Sequence, residues 1–229
     1  MLNNMLYAIG RMVLLLFAGL MLRLTIRRLG ILPAGPKIFV SNHPSATDPF
    51  MIHIISPEHL NVLITAKAFS VPVFGWFLRT IREIPVPLEQ SSNALEDACQ
   101  YIRDGKSVAI FIEGKISPPD GSFLPPRTGA ARLAVQTGAP VIPIGIFLRR
   151  ELSICIKSKI SGKQAQAHWC LRGPYAMTVG QPMQFGGDVE DRQHVRNVSE
   201  AIMNQIRQLA HESEHRTLFP KLTAASIIE

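Results

Sequence analysis

From residue 37 onward, short β-branched runs alternate with amphipathic stretches, and that alternation leaves few architectures open. The run KIFVS, residues 37–41, reads as a buried strand that ends in Asn42, His43 and Pro44, and residues 48–55 read as a short helix. Further strands are expected over residues 61–65, 84–86, 107–112 and 140–148. Helices are expected through residues 73–78, through Ala94, Leu95, Ala98 and Ile102, and up to Gly138 after a proline- and glycine-rich loop over 117–127. β-rich segments continue to about Val179, after which Val195, Val198, Ile202, Ile206 and Leu209 mark one apolar face of a long helix. This pattern predicts an α/β fold: a mixed, largely parallel sheet flanked by helices. Chemistry in such sheets collects where strands end, and both His43 and Glu113 directly follow a strand.

The chain is oily as well as basic. Of its 229 residues 47% are hydrophobic and 18% charged, against roughly 25% charged in a soluble domain. A net charge of +7 and a pI near 9.7 call for an anionic partner, either nucleic acid or membrane. No stretch interleaves basic and aromatic residues as a base-stacking groove would, so membrane is the expected partner and nucleic acid is not. The cysteines, Cys99, Cys155 and Cys170, are odd in number and far apart, which argues against a disulfide framework and a zinc knuckle.

Residues 12–22, MVLLLFAGLML, form an unbroken apolar run between Arg11 and Arg23. Crossing the hydrocarbon takes roughly 20 residues, so a helix lying in or dipping into one leaflet fits this run better than a simple span. Arg23, Arg27 and Arg28 outnumber Arg11, which puts the main domain on the cytoplasmic side. The expected organisation is a membrane-associated helix over 1–30 and one further domain over 31–229. An ordinary core helix is the alternative.

His43 and Asp48 form an H-x-x-x-x-D pair. About one such chain in five would contain that spacing by chance, so the context has to carry the argument. Pro44 excludes a regular helix at the turn, and Asp48 opens the next helix, within reach of one imidazole nitrogen. A carboxylate there would fix the ring's tautomer and support its protonated form, which suits a general base acting on a hydroxyl.

Four segments in order then resemble the glycerolipid acyltransferase family, best known for the 1-acylglycerol-3-phosphate acyltransferases. They are Asn42-His43-Pro44-Ser45 with Asp48; Ala66-Lys67 with Phe69, Pro72 and Phe74-Gly75-Trp76; Phe111-Ile112-Glu113-Gly114; and Pro140-Val141-Ile142-Pro143-Ile144. Val179-Gly180 with Pro182 resembles the family's closing strand. The resemblance covers roughly residues 30–185. It implies that His43 is the base and Asp48 its orienting partner, and that Glu113 and Gly114 help to place the acceptor. Pro143 would lie on the acyl-donor side, and Lys67 or a nearby backbone N–H would steady the oxyanion. The donor would be acyl-CoA or acyl carrier protein, with no metal or bound cofactor.

Two departures bear on the acceptor. Where the family has an arginine after the I-P-V run, Pro87 and Leu88 follow Val86, and the usual E-G-T-R is Glu113-Gly114-Lys115-Ile116. Lys115 offers a point charge but not the bidentate fork that suits phosphate, and Arg79, Arg82 and Arg127 are the candidates to replace it. The acceptor is therefore expected among lysophospholipids, aminolipids or related lipid alcohols. Two rivals stand beside this reading. One is a non-catalytic lipid-binding scaffold on the same fold. The other is a zinc hydrolase using the His211-Glu212-Ser213-Glu214-His215 segment, which matches H-E-x-x-H. Helical geometry turns His211 and His215 away from the Ile202 face toward solvent, and the remaining downstream carboxylate is Glu229.

Overall fold

Ile38, Val40, Val108 and Val141 face one apolar core while Phe39, Ala109, Phe111 and Ile142 face another, which is why their strands read as continuous apolar runs. The computed structural model describes residues 2–87, 91–160 and 163–220. Leu88 and Glu229 lie outside the described residues. In chain order the elements are α1 (Leu2–Met21), β1 (Leu22–Arg28), β2 (Ile38–Ser41), α2 (Asp48–Met51), β3 (Leu60–Thr65), α3 (Phe74–Thr80), β4 (Ile84–Val86) and α4 (Ser91–Arg103). Next come β5 (Ser107–Phe111), α5 (Gly129–Thr137), β6 (Val141–Leu148), β7 (Ile154–Ile160), β8 (Lys163–Trp169), β9 (Gly173–Val179) and α6 (Arg192–Leu218).

Seven strands form one sheet in the order β1-β9-β6-β2-β5-β3-β4, and β7 pairs with β8 as a separate hairpin. Every neighbouring pair in the large sheet is parallel except β6 and β9. The expected mixed, largely parallel sheet is therefore what the chain forms. Helices α4, α5 and α6 pack on one face, and α1 with the segment after Asp48 packs on the other. Asp191 caps the start of α6, its side chain accepting the N–H groups of Gln193 and His194, a contact worth about 1 kcal/mol. Gly145 lets α6 come against β6, because a Cβ there would lie 2.0 Å from the Ala210 nitrogen.

One region differs from the sequence reading. The apolar helix stops at Met21, and residues 22–28, grouped on sequence with the helix, form a strand of the main sheet parallel to β9. Leu22, Leu24 and Ile26 alternate with Arg23, Thr25 and Arg27, and the apolar set packs into the core. Strand β9 supplies the antiparallel part of the mixed sheet: it runs against its neighbour β6 and so brings its first residues to the end of the sheet where β2 and β6 finish. In α1, Asn3–Met21 is long and apolar enough to cross a membrane. Met12, Val13, Leu16 and Leu20 project from it, each more than half exposed.

Candidate active site

The turn after β2 is pinned from four directions. Asn42 makes a two-point contact with Ile146 of β6: its amide nitrogen donates to the Ile146 carbonyl at 2.9 Å and its amide oxygen accepts the Ile146 N–H at 2.8 Å. The hydroxyls of Ser45 and Thr47 donate to the carbonyls of His168 and Cys170 and both accept the Cys170 N–H, which ties the turn to the end of β8. The His43 N–H donates to Glu113 at 3.1 Å, and the His43 carbonyl accepts the Ser117 N–H at 2.7 Å. Finally, the His43 ring stacks on Phe111, with centroids 4.2 Å apart.

Within this frame His43 Nδ1 lies 2.9 Å from Asp48 Oδ2. Asp48 is fully buried, and Oδ2 also accepts the Ser45 N–H at 2.7 Å. Its other oxygen, Oδ1, accepts the hydroxyl of Tyr175, again at 2.7 Å. A buried carboxylate is stable only when fully hydrogen-bonded, and these three donors supply that. The anion marks its neighbours. Burial, and then the charge of Asp48, pushes the Cys170 thiol up to about 11. The same two causes lift Tyr175 well above the ordinary tyrosine range, so it stays a donor. Arg150, in the turn after β6, feels Glu113, Asp120 and Asp48 electrostatically. Burial lowers its guanidinium more than those carboxylates raise it, and it donates to the Pro118 carbonyl.

The other residues expected at the site fall into two groups. Glu113, Gly114 and Lys115 come directly after β5, next to the strand that carries His43. Glu113 is 2% exposed and both its oxygens are taken: Oε1 by the His43 N–H and the Ser117 hydroxyl, Oε2 by the Leu124 N–H. These bonds make Glu113 a brace between the His43 turn and the loop after β5. Gly114 has φ +67 and is covered by Arg127, whose Cδ would lie 2.5 Å from a Cβ at that position. Lys115 is exposed beside it. Pro143 is not part of this group. It is buried within β6 opposite Val40, and its carbonyl accepts the Gly180 N–H, so its contacts are with the sheet. Lys67 sits partly buried in the 3₁₀ turn after β3, and β5 separates that strand from β2.

Of the three arginines that sequence offers as substitutes, Arg127 alone lies on the Glu113–Gly114 turn. Arg79 instead donates to the Phe69 carbonyl at 2.8 Å, and Arg82 takes a left-handed φ of 64 in the turn before β4. Sequence reasoning missed Tyr175 and Arg150. Each reaches the site only because β9 and β6 bring it there, and neither belongs to a local motif. His211 and His215 are exposed on α6, with His211 Nδ1 3.0 Å from Glu214.

Behind Asp48 an apolar cavity of about 330 Å³ opens between α1 and α3. Pro49 and Phe50 line it together with Leu6, Leu14, Phe77 and Leu78, while Trp76 points away and is 57% exposed.

Known proteins provide an independent comparison. A family model described as Acyltransferase matches residues 23–147. A chloroplastic 1-acyl-sn-glycerol-3-phosphate acyltransferase, BAT2, from Brassica napus is 32% identical over 116 residues, 49% of this chain and 33% of that protein. A 1-acyl-sn-glycerol-3-phosphate acyltransferase from Pseudomonas aeruginosa is 31% identical over 129 residues, 54% of this chain and 49% of that protein. The chain thus spans between a third and a half of the length of these two relatives. An N-acylphosphatidylethanolamine synthase from Arabidopsis thaliana is 24% identical over 213 residues, 83% of this chain and 74% of that protein. The crystal structure of the Thermotoga maritima acyltransferase PlsC shares the fold, with a TM-score of 0.62 at 20% identity over 90% of this chain and 79% of that one. With more than half of its length matched by the family model, the chain belongs to the acyltransferase family.

Proposed function

We propose that the protein is an O-acyltransferase that moves a fatty acyl group from acyl-CoA or acyl carrier protein to a hydroxyl of a lysophospholipid or related lipid alcohol. The observation that carries this reading is the His43–Asp48 pair, 2.9 Å apart, with the carboxylate buried and the ring 14% exposed. Asp48 holds the ring with its proton on Nδ1, leaving Nε2 to take the proton of the acceptor hydroxyl. The hydroxyl oxygen attacks the thioester carbonyl carbon, the C–S bond of the tetrahedral intermediate breaks, and the imidazolium returns its proton to the departing thiolate. The products are an ester and a free thiol, and no metal or bound cofactor enters the scheme.

The remaining features have roles in the same scheme. Lys67 or a neighbouring N–H steadies the oxyanion. Arg127 and Lys115 at the Gly114 turn receive the acceptor's phosphate, in place of the arginine that the Glu113-Gly114-Lys115-Ile116 segment lacks. The cavity behind Asp48 takes hydrocarbon. Helix α1 seats its exposed apolar face in the membrane, with the sheet on the cytoplasmic side and the basic surface drawn to anionic lipid.

Thiol release from palmitoyl-CoA tests the proposal, measured with a panel of lysophospholipids, lipid alcohols and phosphatidylethanolamine, for wild type and His43→Ala. Acceptor-dependent release that falls ~10²- to 10⁴-fold in the variant is expected. Equal inertness of the two with both donor types would favour the scaffold. Release with phosphatidylethanolamine alone would move the acceptor from a hydroxyl to an amine.

A further inference from the structure

Asp48 is held on its far side by a residue that the reaction scheme leaves idle. Tyr175 is fully buried, and its hydroxyl reaches Asp48 Oδ1 across 127 positions of sequence. The two oxygens of Asp48 therefore have separate occupants: Oδ1 has Tyr175, while Oδ2 has His43 Nδ1 and the Ser45 N–H. Tyr175 is the third residue of β9, in register with Leu148 of β6 on one side and Leu24 of β1 on the other. A central strand fixed on both sides gives its phenol almost no freedom, so the position of the hydroxyl is set by the sheet rather than by the turn that carries His43.

We propose that Tyr175 is a positioning residue for the His43–Asp48 pair: by holding Oδ1 it aims Oδ2 at His43 Nδ1, and by drawing charge from the carboxylate it moderates how strongly Asp48 favours the protonated ring. The proposal rests on His43 being the general base. A hydroxyl on Oδ1 weakens the pull of the carboxylate on the imidazolium, so its removal strengthens that pull and keeps the ring protonated to higher pH. The other groups facing the pair are Cys170 after β8, Arg150 after β6 and Glu113 after β5. Cys170 stays a neutral thiol below about 11, and Arg150 stays a cation. All three are common to wild type and variant.

Tyr175→Phe keeps the ring in the core and removes only the hydroxyl. The expected result is a kcat lowered ~10-fold with KM unchanged, and a low-pH limb of kcat/KM displaced to higher pH by roughly half to one unit. Thr178→Val is the control. It deletes another buried hydroxyl of β9, one bonded to Ser213 and Arg216 of α6, and should leave the limb where it is. In an Asp48→Asn background, Tyr175→Phe should add nothing, because its effect passes through the carboxylate. A second readout needs no turnover: the His43 ring resonances, followed by NMR in detergent micelles, should titrate at higher pH in Tyr175→Phe.

An unchanged limb and kcat in Tyr175→Phe would overturn the proposal. So would a limb that moves equally in Thr178→Val, or a full additional loss in the Asp48→Asn background. If wild type releases no thiol while the His43 titration still moves in Tyr175→Phe, the link to Asp48 stands and the acyltransferase reading falls. If thiol release depends on His43 and the titration does not move, the acyltransferase reading stands and the role of Tyr175 falls.

Discussion

Glu113 holds the backbone N–H of His43 at 3.1 Å, joining the ends of two neighbouring strands 70 residues apart in the chain. The same oxygen takes the Ser117 hydroxyl, and the second takes the Leu124 N–H. One carboxylate thus braces both the His43 turn and the loop after β5. Glu113→Gln replaces an acceptor with an amide donor among these N–H and O–H groups, leaving a buried mismatch that costs ~2 kcal/mol. The midpoint of thermal unfolding should fall by roughly 4–8 °C. Acyl transfer should weaken through kcat, since His43 itself is displaced.

Arg127 covers Gly114 at the proposed acceptor end. Arg127→Ala should raise KM for lysophospholipid acceptors ~10-fold or more and leave KM for an uncharged lipid alcohol nearly unchanged. Comparing the two acceptors separates a lost phosphate contact from a distorted site. Equal loss with both would assign Arg127 to structure.

Gly145 sits where α6 meets the sheet, and a Cβ there would meet backbone atoms of Leu209 and Ala210 at 2.1 and 2.0 Å. Backbone on both sides cannot rotate out of the way as a side chain would. Gly145→Ala should therefore cost about 3 kcal/mol or more, measured as a drop in the denaturation midpoint with the slope unchanged.

The cysteines should separate by reactivity. Cys155 is exposed on β7, whereas Cys99 and Cys170 are buried and have their thiols pushed up, first of all by burial. At pH 8 a thiol-alkylating reagent should label Cys155 quickly, and the other two only after denaturation. Peptide mapping by mass spectrometry reads this directly.

Alkaline pH should loosen the fold. The unfolded chain loses the Cys170 proton around 9.0, while the folded chain keeps it to about 11, so between these values the unfolded state binds fewer protons. Tyr175 adds to the trend in the same direction, since its proton is also held more tightly when folded. Stability present below pH 9 should decline steadily as pH rises above it, as denaturant titrations at stepped pH would show.

Distance along the chain decides which features sequence reading reaches. Residues 38–41 are legible as a strand because both their faces are buried, which demands an unbroken apolar run. His43 and Asp48 are five positions apart, so their pairing is visible as spacing. Tyr175 is fixed by β9 running against β6, and no local pattern announces strand direction. Residues 22–28 merge with the apolar run before them because no turn residue intervenes. Their period-two alternation is present, but their partner strand begins at Gly173. Pro143 lies in a run legible as a strand for the same reason as residues 38–41, and it is packed inside the sheet opposite Val40.

Met21 ends the apolar helix and Leu22 begins the strand that runs beside Tyr175, with no joint between them. Under the proposed seating of α1 in lipid, the covalent chain would fix the height of the reaction centre above the bilayer. An enzyme held in that way would search for its acceptor in two dimensions, and its velocity would track the mole fraction of acceptor in the surface. Diluting the same acceptor with inert lipid would slow it, whereas adding water would not.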